Sequence, residues 1–304
     1  MSVDGGPEDE RKTIGRGGAV RVGVEAASPT GPRAGARWAV RGRVPLLCAG
    51  ALLLLLALVL AVPGLFTDHD PNATDVVRTF QAPGAGHLLG TDQLGRDVFA
   101  RLVYGTRISV AVSAAATAIG VGGGALLGLL AAVGTNRADA LLMRVVDVLM
   151  AFPETLLALL VVAVLGGGTL NVAVAIGLAG IPGYARLVRG QARLVLGSEY
   201  VDSATVLGVP PWRYLLRHVL PNIGGSVVVL ASIGSGAAIA SGAGLSLLGL
   251  GPRPPQADWG SMVADGKDFL QTAWWISVAP GVLISLVVVA ATAIGRHLQA
   301  SAVR

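Results

Sequence analysis

The chain has 304 residues with a mean hydropathy of +0.68, and only 13% of its residues are charged. Soluble proteins carry about 25% charged residues, so this composition excludes an ordinary soluble enzyme, and the high hydrophobicity excludes a disordered chain. The composition indicates an integral membrane protein with several spans. A net charge of +5 is typical of basic cytoplasmic loops in such a chain, and we expect no nucleic-acid partner.

Six apolar segments predict six transmembrane helices, because a span needs about 20 apolar residues. In chain order they are about Leu46–Phe66, Ile108–Gly134, Leu141–Leu165, Leu170–Leu187, Ile223–Leu248 and Thr272–Gly295. The third and fourth segments are separated by Gly166–Thr169, a glycine run that favours a turn. The predicted fold class is therefore all-α, in a lipid bilayer.

Positive charge predicts the orientation of these spans. Six spans place both termini on one side of the membrane, and 17 of the 23 Lys and Arg residues fall on that side. Cytoplasmic loops carry the excess of positive charge in membrane proteins, so we expect both termini in the cytoplasm. The predicted organisation is a disordered cytoplasmic tail at 1–40, the first helix and an external segment at 41–106, a five-helix core at 107–296, and a cytoplasmic tail at 297–304.

The first external segment ends in an apolar pattern with a spacing of four. Residues 94–103 predict an amphipathic helix at the outer membrane surface, with Thr91 or Asp92 as its N-cap; the alternative is a short helix packed on the outer ends of the spans. In the second span, Gly120, Gly124 and Gly128 also recur every four residues. That spacing favours close approach of another helix, either within this chain or from a partner subunit.

Three charged residues lie in or beside the third predicted span. Arg144 and Asp147 are one helical turn apart, and we expect them either to pair with each other or to extend their charged ends to the membrane surface. Glu154 has no basic residue within four positions, which makes it a candidate for the translocation path. A partner on another helix or contact with a water-filled path remain alternatives for Glu154.

The segment between the fourth and fifth spans predicts two short helices. Ser198 is a candidate N-cap, Glu199 follows at the positive helix end, and Gly208 suits the left-handed position that ends the first helix. The pair Pro210–Pro211 starts a second helix, and Pro221 ends or bends it. The alternative is a plain cytoplasmic hairpin.

This segment matches the EAA motif of ABC importer permeases, which reads Glu-Ala-Ala, three residues, Gly, nine residues, Ile-x-Leu-Pro. The corresponding positions here are Asp202, Ser203, Ala204, Gly208, His218, Leu220 and Pro221. Further matches to one branch of these permeases are Gly90–Asp97, Tyr184–Arg189, Leu245–Gly251 and Trp259–Gly260. Over about residues 40–295 the chain resembles the C-type permease of the dipeptide/oligopeptide/nickel branch.

The resemblance implies a type I ABC importer permease fold with cytoplasmic coupling helices, in a bacterial cytoplasmic membrane. It implies that ATPase coupling falls to Glu199, Asp202, Ser203, Ala204, Gly208, Arg217, Leu220 and Pro221. It places Asp258 and Trp259 near a binding protein at the outer face. This chain would be non-catalytic, without a cofactor or metal of its own.

The implied partners are a second homologous permease in a heterodimer, one or two ABC ATPase subunits that bind ATP and Mg, and an extracytoplasmic peptide-binding protein. The favoured substrates are di- and oligopeptides, with nickel, opine or glutathione as alternatives. The rival class is a secondary transporter or channel, for which Glu154 would be the ion-coupling candidate. Neither HExxH nor GxSxG occurs in the sequence, so no intramembrane enzyme motif is present.

Overall fold

The computed structural model describes residues 43–197, 213 and 215–302. Over these ranges the chain forms eight α-helices and no β-strand. The helices are α1 (Arg43–Ala61), α2 (Val98–Val133), α3 (Asn136–Met150), α4 (Glu154–Leu165), α5 (Thr169–Leu196), α6 (Leu220–Leu247), α7 (Trp259–Gly266) and α8 (Trp275–Ala302). A π-helical turn, Leu215–Val219, leads into α6.

Four helices are each long and apolar enough to cross a membrane, namely α2, α5, α6 and α8. They correspond to the second, fourth, fifth and sixth predicted spans. The bent pair α3 and α4 counts as a fifth candidate, and the apolar part of α1 is a shorter helix, Leu46–Ala61. We call the end of the bundle that carries residues 62–97 and 249–274 the outer end, following the predicted orientation, and the opposite end the inner end.

The predicted third span, Leu141–Leu165, is not one continuous helix. The chain breaks between Met150 and Glu154, and α3 and α4 meet at an angle of 91°. Pro153 explains the break, because it has no backbone N–H and disfavours the helical conformation in the residue before it. With 12 residues, α4 is about 18 Å long and does not cross a bilayer core of about 30 Å by itself.

The predicted separate amphipathic helix at residues 94–103 is also wrong. Its second half is the first part of α2, a continuous helix of 36 residues. The N-cap is Asp97, whose carboxylate accepts a hydrogen bond from the Ala100 amide at 2.6 Å. His87 Nδ1 lies 2.8 Å from the other oxygen of Asp97, so this cap is fixed from both sides.

The glycine run after α4 forms the predicted turn. Gly166 and Gly168 have φ angles of +83° and +125°, values that residues with a Cβ rarely adopt. The amide of Gly168 donates a hydrogen bond to the Leu250 carbonyl at 3.2 Å. The turn between α4 and α5 is therefore joined to the loop after α6 at the outer end.

The glycine face of α2 packs within the chain, against α5. A Cβ on Gly128 would lie 2.5 Å from the Ala185 carbonyl oxygen and 2.9 Å from the Arg189 amide nitrogen. Gly120 and Gly124 face Tyr184 in the same way. Of the two alternatives that the sequence leaves open, the structure shows the contact within one chain, and it sets the distance between α2 and α5.

Candidate functional site

Most of the predicted coupling segment lies outside the described residues. This applies to Glu199, Asp202, Ser203, Ala204 and Gly208. The structure does describe the two flanks of this segment. They are the last turns of α5 before it, and the π-helical turn and the start of α6 after it. The remaining predicted coupling residues lie on the second of these ends.

Arg217 and Pro221 are exposed, and Leu220 is 42% exposed. Between them, Val219 is fully buried. Where the chain enters α6 at the inner end, one side of the backbone therefore packs against the bundle and the other side is exposed. The predicted coupling residues are therefore accessible, while their buried neighbour Val219 fixes the backbone.

Both ends pack into one apolar group, which we call the stem cluster: Val188 and Ala192 of α5, Val219, and Ile223 of α6. Partly buried side chains of α2 and of both ends surround it, including Leu129, Val195 and Leu215. Close-packed side chains transmit displacement because they have no room to yield. The stem cluster therefore joins α2, α5 and α6 at the inner end of the bundle.

Ion pairs at the inner end tie α3 to α5. Asp139 is buried at 7% exposure, and its Oδ2 accepts hydrogen bonds from Arg189 Nη2 at 2.7 Å and Arg193 Nη2 at 2.6 Å. Asp147 pairs with Arg186, so the expected pair with Arg144 is wrong. The partner of Asp147 lies on a neighbouring helix, 39 residues along the chain, where helical spacing gives no indication of it.

Glu154 is the first residue of α4 and lines a cavity of about 230 Å³ within the bundle. The cavity lies between four helices and is lined by, among others, Thr117 and Gly120 of α2, Gly180 and Tyr184 of α5, and Gly234 of α6. A volume of this size holds several water molecules, at about 30 Å³ each. The candidate path residue therefore opens on a space that a small ligand or water can occupy.

At the outer end, the structure places Asp258 and Trp259 in the interior. Asp258 caps α7: its carboxylate accepts hydrogen bonds from the Gly260 amide at 2.8 Å and the Ser261 amide at 3.2 Å. Trp259 is 1% exposed and donates its indole N–H to the Leu102 carbonyl at 3.1 Å. Neither side chain is exposed at the surface of this conformation, and Trp259 joins α7 to α2. The placement of this pair near a binding protein stays a prediction.

A buried charge cluster stands beside them. Asp92 Oδ2 accepts a hydrogen bond from Arg96 Nε at 2.6 Å and lies 3.7 Å from Arg101 Nε. Both arginines line an outer cavity of about 760 Å³ together with Asp265. Burial raises the pKa of the Asp265 carboxyl above its ordinary value, while the Arg101 and Arg96 guanidiniums act in the opposite direction.

Comparison with known protein families now identifies the chain. Residues 124–304 match the family described as the binding-protein-dependent transport system inner membrane component. The chain belongs to this family. It is a multi-pass permease component of the inner membrane, and the matched residues include α3 to α8, the stem cluster and the whole predicted coupling segment.

Individual relatives extend the likeness beyond the matched family region. A putative peptide transport system permease of Brucella suis is 41% identical over 248 residues, covering 82% of this chain and 83% of its own. A probable D,D-dipeptide transport system permease of Escherichia coli K12 is 37% identical over 269 residues, covering 88% of each chain. A glutathione transport system permease of Pectobacterium atrosepticum is 40% identical over 82% of each chain.

Among solved structures, the permease is similar to a chain of the inward-facing MetNI methionine ABC transporter. The TM-score is 0.53, with 18% sequence identity, and the match covers 67% of this chain and 96% of the other. At this identity the likeness concerns the fold. It confirms the expected importer permease fold.

Sequence reasoning missed two features of the permease. Tyr184 enters the sequence analysis only through a motif, although its ring lines the cavity with Glu154. The buried cluster of Asp92, Arg96 and Arg101 was assigned to a surface helix. The sequence did contain an indication of this cluster. Only 13% of the residues in this chain are charged, so several charged residues close together indicate that they pair with one another.

Proposed function

We propose that this permease is one transmembrane subunit of an ATP-driven importer of di- and oligopeptides, which works by alternating access. The observation that carries the proposal is the match to peptide transport permeases over more than four fifths of both chains. The relative from Pectobacterium favours glutathione, itself a small peptide, as the second candidate. Nickel and opines are the remaining alternatives within the family.

In this proposal the permease pairs with a second homologous permease, and one or two separate ABC ATPases bind ATP and Mg and perform the hydrolysis. Residues 198–222 form the EAA motif and coupling helix that dock on the ATPase, with both termini in the cytoplasm. The stem cluster supports this role, since both flanks of the segment are packed against α2. Rigid-body movement of packed helices is an established way of switching between two states.

At the outer end, a peptide-binding protein would deliver the substrate to the cavity beside Arg96 and Arg101. Asp258 and Trp259 would act indirectly, by holding α7 against the bundle. Glu154 would line the path further inward. The large outer cavity and the smaller inner one lie at successive depths of the same helix bundle.

The first test is to tag this chain, solubilise the membrane in mild detergent, and identify the attached polypeptides by mass spectrometry. The proposal expects a second permease and one or two ATPases. The purified complex with its binding protein is then reconstituted in vesicles, and ATP-dependent uptake of labelled dialanine, glutathione and Ni²⁺ is measured. A chain that purifies alone in several detergents would overturn the proposal and favour a channel or secondary transporter.

The coupling role has its own test in Gly208→Val. If Gly208 adopts the left-handed conformation predicted for it, a β-branched residue there distorts the coupling helix and abolishes uptake while leaving membrane insertion intact. The matched control is Gly190→Val, since a Cβ at Gly190 meets no atom within 4 Å. Unchanged ATP-dependent uptake in Gly208→Val would remove this segment from the coupling mechanism.

A further inference from the structure

A groove of about 340 Å³ lies among α1, α2, α6 and α8, apart from the two cavities described above. Ten of its thirteen lining residues are alanine, valine, leucine or isoleucine, and the other three are serines. Ala57 and Leu60 of α1 and Ala114 of α2 are exposed, so the space opens on the surface of the bundle between these two helices. We call this space the apolar groove.

The three serines of the apolar groove donate their hydroxyl protons within the chain. Ser113 donates to the Ser235 carbonyl at 2.7 Å, and Ser235 donates to the Ser232 carbonyl at 2.8 Å. Ser232 donates to the Val228 carbonyl at 3.0 Å. A water molecule stays in a cavity when it finds about two to four polar partners, and this lining offers few. The apolar groove therefore suits an apolar occupant better than water.

The apolar molecules that reach this part of the bundle in a membrane are lipid acyl chains. The apolar groove has more than twice the volume of an apolar cavity of about 150 Å³ that holds benzene, so a segment of an acyl chain fits in it. A void without an occupant would forfeit the dispersion contacts of its lining. The surface around the opening also favours lipid over protein, because the exposed large apolar side chains of α1 are all leucines, whereas contacts between membrane helices favour small residues.

A positive charge lies at the outer end of the apolar groove. Arg107 of α2 donates from Nε to the Leu60 carbonyl at 3.0 Å and from Nη2 to the Ala61 carbonyl at 3.3 Å. These bonds cap the end of α1 and leave three of the five guanidinium donors for other partners. Arg107 is exposed, and within the described parts of the chain no carboxylate pairs with it. Residues 108–133 contain no charged side chain, so Arg107 marks the outer limit of the apolar part of α2, at the level of the lipid headgroups.

We infer that Arg107 and the apolar groove bind one phospholipid from the leaflet at the outer end, with the phosphate on the guanidinium and an acyl chain in the groove. The groove alone does not select a ligand, because the bilayer around it is equally apolar. The guanidinium supplies the selection, since its remaining donors match the oxygens of a phosphate group. This site goes beyond the proposed function, because it does not depend on what the permease transports.

The phosphate contact is tested on the purified transporter complex after its lipids have been removed by detergent exchange. Native mass spectrometry measures the binding of dioleoylphosphatidylglycerol and of dioleoylglycerol, which lacks the phosphate. Arg107→Gln should weaken the binding of one phosphatidylglycerol by about 10-fold, the effect of one charge-assisted hydrogen bond, and leave dioleoylglycerol unchanged. Arg107→Lys, which retains the charge, should recover most of the loss. The control is Arg253→Gln, at an exposed arginine of the outer end that lies outside the apolar groove, and it should bind both lipids as the wild type does.

The acyl contact is tested by photolabelling the same complex with a phosphatidylglycerol that carries a diazirine at the end of one acyl chain. In the wild type we expect labels on Ser235 and Ile239 of α6, which line the apolar groove. Ala57→Leu adds bulk at the opening and should lower this labelling several-fold. Ala51→Leu is the matched control, because Ala51 is an exposed residue of the same helix outside the groove.

Equal labelling of α6 in the two alanine variants, or unchanged phosphatidylglycerol binding in Arg107→Gln, would overturn the lipid site. Labels confined to the exposed leucines of α1 would also overturn it, since ordinary contact with the bilayer would then explain them. Capture of the second permease by benzoylphenylalanine at position 57 would show that protein covers the groove, against the inference. None of these measurements uses a transported substrate, so the lipid site and the proposed function can be refuted separately.

Discussion

Substitution of Gly128 by alanine tests whether close approach of α2 and α5 sets the geometry of the bundle. The new Cβ would lie 2.5 Å from the Ala185 carbonyl oxygen and 2.9 Å from the Arg189 amide nitrogen. Favourable contacts begin at about 3.5 Å, so the methyl group is about 1 Å too close to backbone atoms that cannot rotate away. The two helices must separate, at a cost of about 1–3 kcal/mol for overpacking.

Gly122→Ala is the matched control on the same helix, because its Cβ would meet no atom within 4 Å. Both substitutions gain about 1 kcal/mol of helix propensity, so this gain cancels in the difference between them. The free energy of unfolding, measured by titrating the purified protein in mild detergent with a denaturing detergent, should be about 1–3 kcal/mol lower for Gly128→Ala than for Gly122→Ala. Equal stability of the two variants would refute the claim that this glycine face fixes the helix distance.

Other substitutions compare the loss in free energy of unfolding at buried side chains with the loss at exposed ones. Asp139→Asn should lower the free energy of unfolding by about 1–3 kcal/mol, because it removes the charge shared by two arginines of α5. Asp147→Asn, whose carboxylate is exposed, should cost less than about 1 kcal/mol in the same titration. Asp258→Ala removes the α7 cap and should cost about 1 kcal/mol, with faster proteolysis of the outer loop as a second readout. Trp259→Phe should destabilise the protein by about 1–2 kcal/mol, since it loses an indole hydrogen bond and leaves a gap in the core. Trp274→Phe should be near neutral, because that ring is 54% exposed; equal effects of the two tryptophan variants would contradict the assigned burial.

Hydropathy predicts the positions of the spans well, because a bilayer of fixed thickness demands long apolar helices whatever they pack against. The turn at Gly166–Gly168 was equally predictable, since it depends on local backbone freedom. Continuity along the helix axis was not predictable in this way. The α2 helix continues through residues that were assigned to a surface helix, and α3 and α4 break at Pro153 inside one apolar segment.

Of all features of the structure, the contacts of individual polar and charged side chains were the hardest to predict from the sequence. Helical spacing suggested that Arg144 and Asp147 would pair, but Asp147 pairs across helices with Arg186. The resemblance placed Asp258 and Trp259 near a binding protein at the outer face, and it gave no indication that both side chains are buried in the folded loop. Such contacts depend on how distant segments meet, which neither periodicity nor spacing encodes.

The unbroken length of α2 has a further consequence for how signals cross this membrane. At about 1.5 Å per residue its 36 residues extend about 54 Å, more than the thickness of the hydrocarbon core. Its first turn is fixed by the Asp97 cap, and its last turns pack beside the stem cluster. An unbroken helix fixed at both ends can couple the two faces of the membrane, and any such coupling is reciprocal by thermodynamic linkage. If a ligand at the inner end alters the affinity of a ligand at the outer end by some factor, the outer ligand must alter the affinity of the inner one by the same factor.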